Sequence, residues 1–354
     1  MTDLDMTRLA EIAQPILGDD ISVEAMPGGA STRKYFRLAS KTAGKTAPTS
    51  LVAMFVPDGD KPEEISKAGT RAQRWPFLEV ADLLRERGVD VPKLLRDDAA
   101  HGWLLLEDLG DLTLAAFLEK NPQKKSALYT QAVVDLARAQ KSLSDLPASS
   151  VVASRSFDVD LLTWEIDHFR EWGVEARGIA ISDSQRAKFD ALAKRFAERV
   201  SKMPYGFVHR DYQSRNLMVR LLKQDAGAEK EQLVWIDFQD ALRGPRVYDL
   251  VALLSDSYQE FDRPFIEARL DEFTKAAGLE NEREKIGTEF DVVTVQRKLK
   301  DAGRFVFIDR VKQNPSFLRF VEPTILKVKR ALERLSPADQ DARELAALLD
   351  DLGL

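Results

Sequence analysis

Apolar and polar positions follow two regimes along the chain. Residues 1–18 space their apolar side chains as a short amphipathic helix does. The next stretch, ISVEAMPGGASTRKYFRLAS, reads as two strands joined by a turn at Pro27, Gly28 and Gly29. Residues 40–50 read as a loop, and LVAMFVP (51–57) is an apolar run of strand length. Residues 58–70 are polar and punctuated by Gly and Pro. Residues 72–87 predict a helix stopped by Gly88, and WLLLEDLG (103–110) predicts a buried strand running into a turn.

Past Gly110 the period changes. Residues 112–147, 158–175 and 184–202 carry helical spacing. Short strand candidates follow at FVH (207–209) with LMV (217–219), and at LVWID (233–237), with a polar hairpin tip over 221–230. Residues 246–258, 262–277, 283–304 and 315–336 predict further helices. The order predicts an α+β protein of two lobes: a small β-rich lobe over 1–107 and a mostly helical lobe over 108–354.

Composition narrows the function classes. The 354 residues suit two lobes better than one simple core. A formal net charge of -6 argues against a general nucleic-acid binder. The absence of cysteine excludes disulfides, thiolate metal sites and cysteine nucleophiles. The acidic N-terminus has no apolar core of signal-peptide length, and no run of 18 apolar residues exists. The expectation is a cytoplasmic enzyme with no membrane segment.

The chemistry concentrates in FVHRDYQSRNLMV (207–219), which sets His209, Asp211 and Asn216 in an H-x-D-x-x-x-x-N pattern. That Asp-to-Asn spacing is the spacing of a kinase catalytic loop. Asp211 would accept a proton from an attacking hydroxyl, and Asn216 would reach a nucleotide-bound metal. His209 would brace the loop, and Arg215 would stabilise charge near the transferred phosphoryl group or the acceptor. Downstream, LVWIDFQDA ends an apolar strand in Asp237, a hard-oxygen donor suited to Mg²⁺. The competing reading of the whole pattern is a core His beside an Asp/Asn turn.

These residues resemble the aminoglycoside phosphotransferase and choline kinase superfamily, whose catalytic loop and metal aspartate match at Asp211, Asn216 and Asp237. GGASTRKYFRL (28–38), WLLLEDLGD (103–111), VHRDYQSRNLM (208–218), WIDFQDALRGPRVYDLVALL (235–254) and QRKLKDAG (296–303) are similar, more narrowly, to the bacterial anomeric amino-sugar kinases. The resemblance implies a bilobal protein-kinase-like fold with ATP and Mg²⁺ between the lobes. It also implies phosphorylation of the C1 hydroxyl of N-acetylmuramate or N-acetylglucosamine in cell-wall recycling. Another small alcohol (an aminoglycoside, choline or homoserine) is the alternative acceptor. The implied partners are ATP and a small amino sugar, with no nucleic acid and no obligate protein partner.

One position departs from the superfamily. Met54 stands on the strand where kinases carry the lysine that holds the α- and β-phosphates. Three readings stay open: a shifted alignment, a substitute cation at Arg33 or Lys34, or a nucleotide-binding pseudokinase. Glu79 then has no lysine to pair with and reads as a solvated helix residue.

The remaining candidates each have a plain alternative. Gly28, Gly29, Ser31 and Thr32 read as a phosphate-facing turn or as an ordinary hairpin. Leu105, Leu106 and Glu107 read as the inter-lobe hinge that meets adenine, or as a plain strand end. Asp249 reads as a helix N-terminal carboxylate stabilised by the dipole, or, as the resemblance implies, as a buried brace for the catalytic loop. Asp240 and Arg243 are either acceptor contacts or surface. Glu165, Phe169 and Trp172 fall on one helical face, as a core stripe or as a platform for a sugar ring. Gln296, Arg297 and Lys300 line one helical turn, as solvated charge or as a site for a lactyl carboxylate.

Overall fold

The computed structural model describes residues 4–27, 33–41, 49–56, 74–223 and 229–354. The first helix, α1 (Met6–Leu17), starts at Asp5, whose side chain accepts the Arg8 N–H, and stops at Gly18. Three strands and a helix follow: β1 (Ile21–Ala25), β2 (Lys34–Ser40), β3 (Ser50–Phe55) and α2 (Pro76–Glu86). Pro76 opens α2, where a missing N–H costs nothing. Strands β4 (Leu94–Asp98) and β5 (Trp103–Glu107) complete a sheet of order β1-β2-β3-β5-β4, antiparallel throughout.

Strand alternation divides this sheet into two faces. Phe36, Leu38, Leu51, Ala53, Phe55, Trp103 and Leu105 point to one face and are covered by Leu9, Ile12, Ala13 and Leu17 of α1. Met54, Leu104 and Leu106 point to the other face, where they join α2 and the main core. Met54 is therefore fully buried on the face that looks toward the helical part.

The second part begins with α3 (Leu114–Lys120), capped by Thr113, and α4 (Lys125–Ser142). One helix was expected over 112–147; Asn121 and Pro122 break it, because Pro122 cannot continue the preceding hydrogen-bond ladder. Next come α5 (Val159–His168), capped by Asp158, and α6 (Asp183–Ser201), opened by a capping box at Ser182 and Gln185. Four strands then form two ribbons. The first three are β6 (Tyr205–Val208), β7 (Leu217–Lys223) and β8 (Glu229–Trp235), and the last is β9 (Leu242–Pro245). Strand β6 pairs with β9, and β7 with β8. The final helices are α7 (Tyr248–Leu254), α8 (Arg263–Ala277), α9 (Arg283–Lys312), α10 (Val321–Leu335) and α11 (Gln340–Asp351). Strand β9 and helix α11 were not anticipated.

Helix α9 organises this part. It is 30 residues long and lacks a clean polar face: Glu289, Asp291, Gln296, Arg297 and Lys298 are buried along with its apolar positions. Such a helix runs through the middle of a domain and must give its polar groups partners. Arg246 pairs with Glu289 at 2.8 Å, and Arg334 with Asp291 at 2.7 Å. At Gly303, α9 passes so close to the end of α5 that a Cβ would stand 2.6 Å from the carbonyl oxygen of His168.

Candidate active site

The candidate loop lies between β6 and β7. Asp249, at the start of α7, accepts the N–H groups of His209 at 2.6 Å and Arg210 at 2.9 Å. It is the brace that was expected, fully buried. The Asp211 N–H donates to His209 Nδ1 at 3.3 Å. Burial pushes the His209 imidazole down to about 4, so the ring is neutral and Nδ1 serves as the acceptor. Tyr212 and Trp235 enclose it edge-on. Ser214 donates its hydroxyl to Asp256 at 2.6 Å, and the Ile236 N–H donates to the Asn216 carbonyl at 3.0 Å. The loop is thus pinned from α7, from the segment after α7, and from the turn after β8.

Asp211, Asn216 and Asp237 come together. The Asn216 amide donates to the Asp211 carbonyl at 2.8 Å and approaches an Asp237 carboxylate oxygen at 3.5 Å. Asp237 was expected to end a strand. It lies two residues past the end of β8, in the left-handed region at φ 64°. Arg210, just before Asp211, has φ 82°. These are two of the three non-glycine residues with positive φ among the described residues, and both flank the same few side chains. Such conformations persist where the surroundings impose them, often at functional sites.

The electrostatics divide the cluster between one carboxylate held ionised and two raised. Burial opposes ionisation of Asp211, but Arg297, Lys300 and Arg210 outweigh it and hold its carboxyl below the usual value. Burial and the nearby Asp211 carboxylate push Asp237 up to about 6, although 45 % of its side chain stays open. Burial likewise raises Asp240, whose Oδ1 is buried with no hydrogen-bond partner. Gln239 donates to both of these carboxylates, at 2.8 and 3.3 Å. Arg33 stands 3.7 Å from Asp237. Among the described residues, no group of three or more His, Cys, Asp or Glu is placed to hold a metal by itself. A site of Mg²⁺ type needs only one or two protein oxygens, because phosphates and waters complete it. Asp237 and Asn216 offer such oxygens, and a cation beside them would relieve the crowding of negative charge.

Several candidates stand elsewhere than expected. Gly28, Gly29, Ser31 and Thr32 lie outside the described residues. Leu105 is a core residue: it pairs with Ala53 and Arg96 on the two neighbouring strands and turns its side chain under α1. Glu107 donates its N–H to the Lys93 carbonyl and holds Arg220 with both carboxylate oxygens at 2.9 Å, so these groups are spent within the protein. Lys34 is exposed, and Arg33 is the one of the two that stands beside Asp237. Glu79 is half-buried and accepts the Val151 N–H, in place of the solvated position expected.

The Glu165, Phe169 and Trp172 stripe is split. Helix α5 passes into a π-helical turn over Phe169–Val174, and the added residue per turn rotates the face. Phe169 packs into the core near Phe189, while Trp172 joins His168 and Phe307. Glu165 is fully buried and accepts from Gln296 at 2.8 Å. Arg297 is buried and not solvated: its guanidinium donates to the Arg210 carbonyl and faces Asp211. Arg215 is exposed and stacks over Tyr258 at 3.6 Å, with Phe320 at 5.8 Å. Arg243 is exposed, with its main chain bonded to Arg155 and Phe157. Gln239 and Asp256 were missed; Gln239 had only its place beside Asp237 to signal it.

Comparison with known proteins shows what the whole chain is similar to. An N-acetylmuramate/N-acetylglucosamine kinase of Pseudomonas aeruginosa is 30% identical over 91% of this chain and 86% of its own length. One of Neisseria meningitidis is 31% identical over 90% of this chain and 89% of its own. Among solved structures, an ADP-bound aminoglycoside phosphotransferase superposes with a TM-score of 0.57 at 14% identity, over 92% of this chain and 98% of that one. A Plasmodium vivax ethanolamine kinase gives 0.59 at 11% identity, over 91% and 85%. These structures share the bilobal kinase-like fold expected of the sequence. The model of the phosphotransferase enzyme family matches residues 22–284, and the chain belongs to that family.

Proposed function

We propose that the protein transfers the γ-phosphoryl group of ATP to the anomeric C1 hydroxyl of N-acetylmuramate or N-acetylglucosamine. The observation that carries this reading is the convergence of Asp211, Asn216 and Asp237 on a loop pinned from three sides. The kinases named above, about 30% identical over most of the chain, supply the acceptor class. Residues 1–107 would form the nucleotide lobe and residues 108–354 the lobe that carries the chemistry. The ADP-bound structural neighbour supports nucleotide use.

In this reading Asp211 is the proton acceptor. It stays ionised because cations surround it, and 38 % of its side chain is open to an incoming hydroxyl. Asn216 and Asp237 hold Mg²⁺, which supplies charge neutralisation on the phosphates. His209 acts through its neutral ring, which fixes the Asp211 N–H. Arg33, 3.7 Å from Asp237, supplies the positive charge that Met54 does not. Arg215, stacked on Tyr258, presents a guanidinium edge toward a substrate anion, and Asp240 offers a carboxylate oxygen with no protein partner. The rate comes mainly from positioning and charge neutralisation.

The test is ADP release with ATP and Mg²⁺ across N-acetylmuramate, N-acetylglucosamine, an aminoglycoside, choline and homoserine. Turnover confined to the two amino sugars supports the proposal. Turnover confined to a cationic alcohol would remove the acceptor assignment and keep the kinase.

A further inference from the structure

We infer that Arg297 is a positioning residue for the phosphoryl transfer, a clamp from α9 that holds the catalytic loop in its strained form, and not a contact for the acceptor's carboxylate. The inference rests on the proposed role of Asp211. Arg297 Nη1 donates to the Arg210 carbonyl at 2.7 Å, and Nη2 stands 3.3 Å from Asp211 Oδ1. One planar fork therefore spans the peptide before Asp211 and the Asp211 carboxylate itself.

The bridged peptide belongs to Arg210, whose φ of 82° is unfavourable for a residue with a Cβ. Two groups hold that conformation from opposite sides. Asp249 takes the N–H of Arg210 at 2.9 Å, and Arg297 takes its carbonyl. Asp249 fixes the main chain alone; only Arg297 also touches the side chain that would meet the hydroxyl. The guanidinium is itself fixed. It is 4 % exposed, lies over the Tyr248 ring at 4.6 Å, and has Asp301 at 3.9 Å from Nε. A lysine has one point donor and cannot reproduce a planar two-point contact.

The burial decides between clamp and substrate site. Two of its donors face the Arg210 carbonyl and Asp211, and its Nε, which has no hydrogen-bond partner, is itself buried with Asp301 3.9 Å away, so the side chain offers a ligand's carboxylate almost no open surface. Arg215, by contrast, is exposed and stacks over Tyr258, with no ion pair or side-chain hydrogen bond to the described residues. N-acetylmuramate bears a lactyl carboxylate and N-acetylglucosamine lacks one, so the two sugars separate the two roles.

The experiment measures kcat and KM for both sugars with Arg297→Gln and Arg297→Lys, per folded molecule by circular dichroism. The clamp predicts that kcat falls about 100-fold or more in Arg297→Gln, by the same factor for both sugars. Both KM values should stay within about 3-fold, since binding is spared when only transition-state alignment is lost. Arg297→Lys should recover part of kcat and not all of it. If Arg297→Gln fails to fold, the lysine variant carries the same comparison. A rise in KM for N-acetylmuramate alone overturns the clamp in favour of a carboxylate contact. Wild-type kcat in either variant overturns it as well. Inactivity of the wild type on both sugars is instead a failure of the acceptor assignment, and the same kcat-against-KM comparison is then read on the alcohol it does accept.

Discussion

The side-chain amide of Asn216 donates to the main-chain carbonyl of Asp211 at 2.8 Å, so the loop between these two residues is closed by one of its own ends. The bond uses the Asn216 amide nitrogen and a main-chain oxygen, so it occupies neither the Asn216 side-chain oxygen nor the Asp211 carboxylate. A spacing of five residues is what lets a short loop turn back on itself in this way.

Replacing Asp211 by Asn keeps shape and polarity and removes the proton acceptor. Loss of a general base costs about 10²–10⁴ in kcat, with a much smaller change in KM. The anomeric hydroxyl is more acidic than an ordinary alcohol, which places the expected loss at the lower end. Steady-state kinetics on the Asp211→Asn enzyme check this, and a kcat within a few-fold of wild type would remove Asp211 from the mechanism.

Asp237→Ala should leave a cooperative thermal transition and abolish turnover. It removes a carboxylate that sits half-exposed amid excess negative charge, so folding loses little. Calorimetry of Mg-ATP binding to wild type and variant is the check. Equal affinity and equal turnover in the variant would free Asp237 of any role.

Asp249→Ala tests the brace. Two buried N–H groups, of His209 and Arg210, would lose their acceptor. Each unsatisfied buried group costs about 1–3 kcal/mol, so a loss of roughly 2–6 kcal/mol is expected in chemical denaturation. An unchanged midpoint would mean that water or a neighbour takes over both bonds.

Met54→Lys asks whether the missing lysine can be restored. Met54 is fully buried, and its neighbours on that face are apolar. An ammonium there would be buried among apolar side chains, which penalises its charge. The variant is expected to lose stability by about 2 kcal/mol or more and to gain no activity. A faster enzyme would show that the strand position still addresses the phosphates.

Stability should respond to pH through Asp167, away from the site. Burial and the nearby Asp190 push its carboxyl up to about 6, and its Oδ1 is buried without a hydrogen-bond partner. The folded state then binds this proton more tightly than the unfolded chain, so stability rises as pH falls from about 6 toward 4 and is lowest above 6. Asp167→Asn should raise stability above pH 6 by on the order of 1–2 kcal/mol and flatten this part of the profile. Denaturation midpoints across that range decide it.

What could be read from the chain were features with a local cause. The H-x-D-x-x-x-x-N pattern and the switch from strand to helix period after Gly110 depend on residues close in sequence. The phase of the stripe at Glu165, Phe169 and Trp172 was not legible, because a π-helical turn supported by the close approach of Gly303 shifts it. The direction of the Leu105 side chain was not legible, because an apolar run does not say which face of a sheet each residue takes. Arg297 reads as a solvated charge in any helical pattern, and its partners lie 86 and 87 residues away. Strand β9, with the sequence LRGP, has a composition that argues against a strand and exists through its pairing with β6.

The most direct measurement is ³¹P NMR of the product formed from N-acetylmuramate or N-acetylglucosamine with ATP and Mg²⁺. A phosphorus resonance coupled to the anomeric proton, with loss of the reducing end, is the result expected of transfer to the C1 hydroxyl. A 6-phosphate, or no phosphorylated sugar from a folded and nucleotide-binding enzyme, would contradict it.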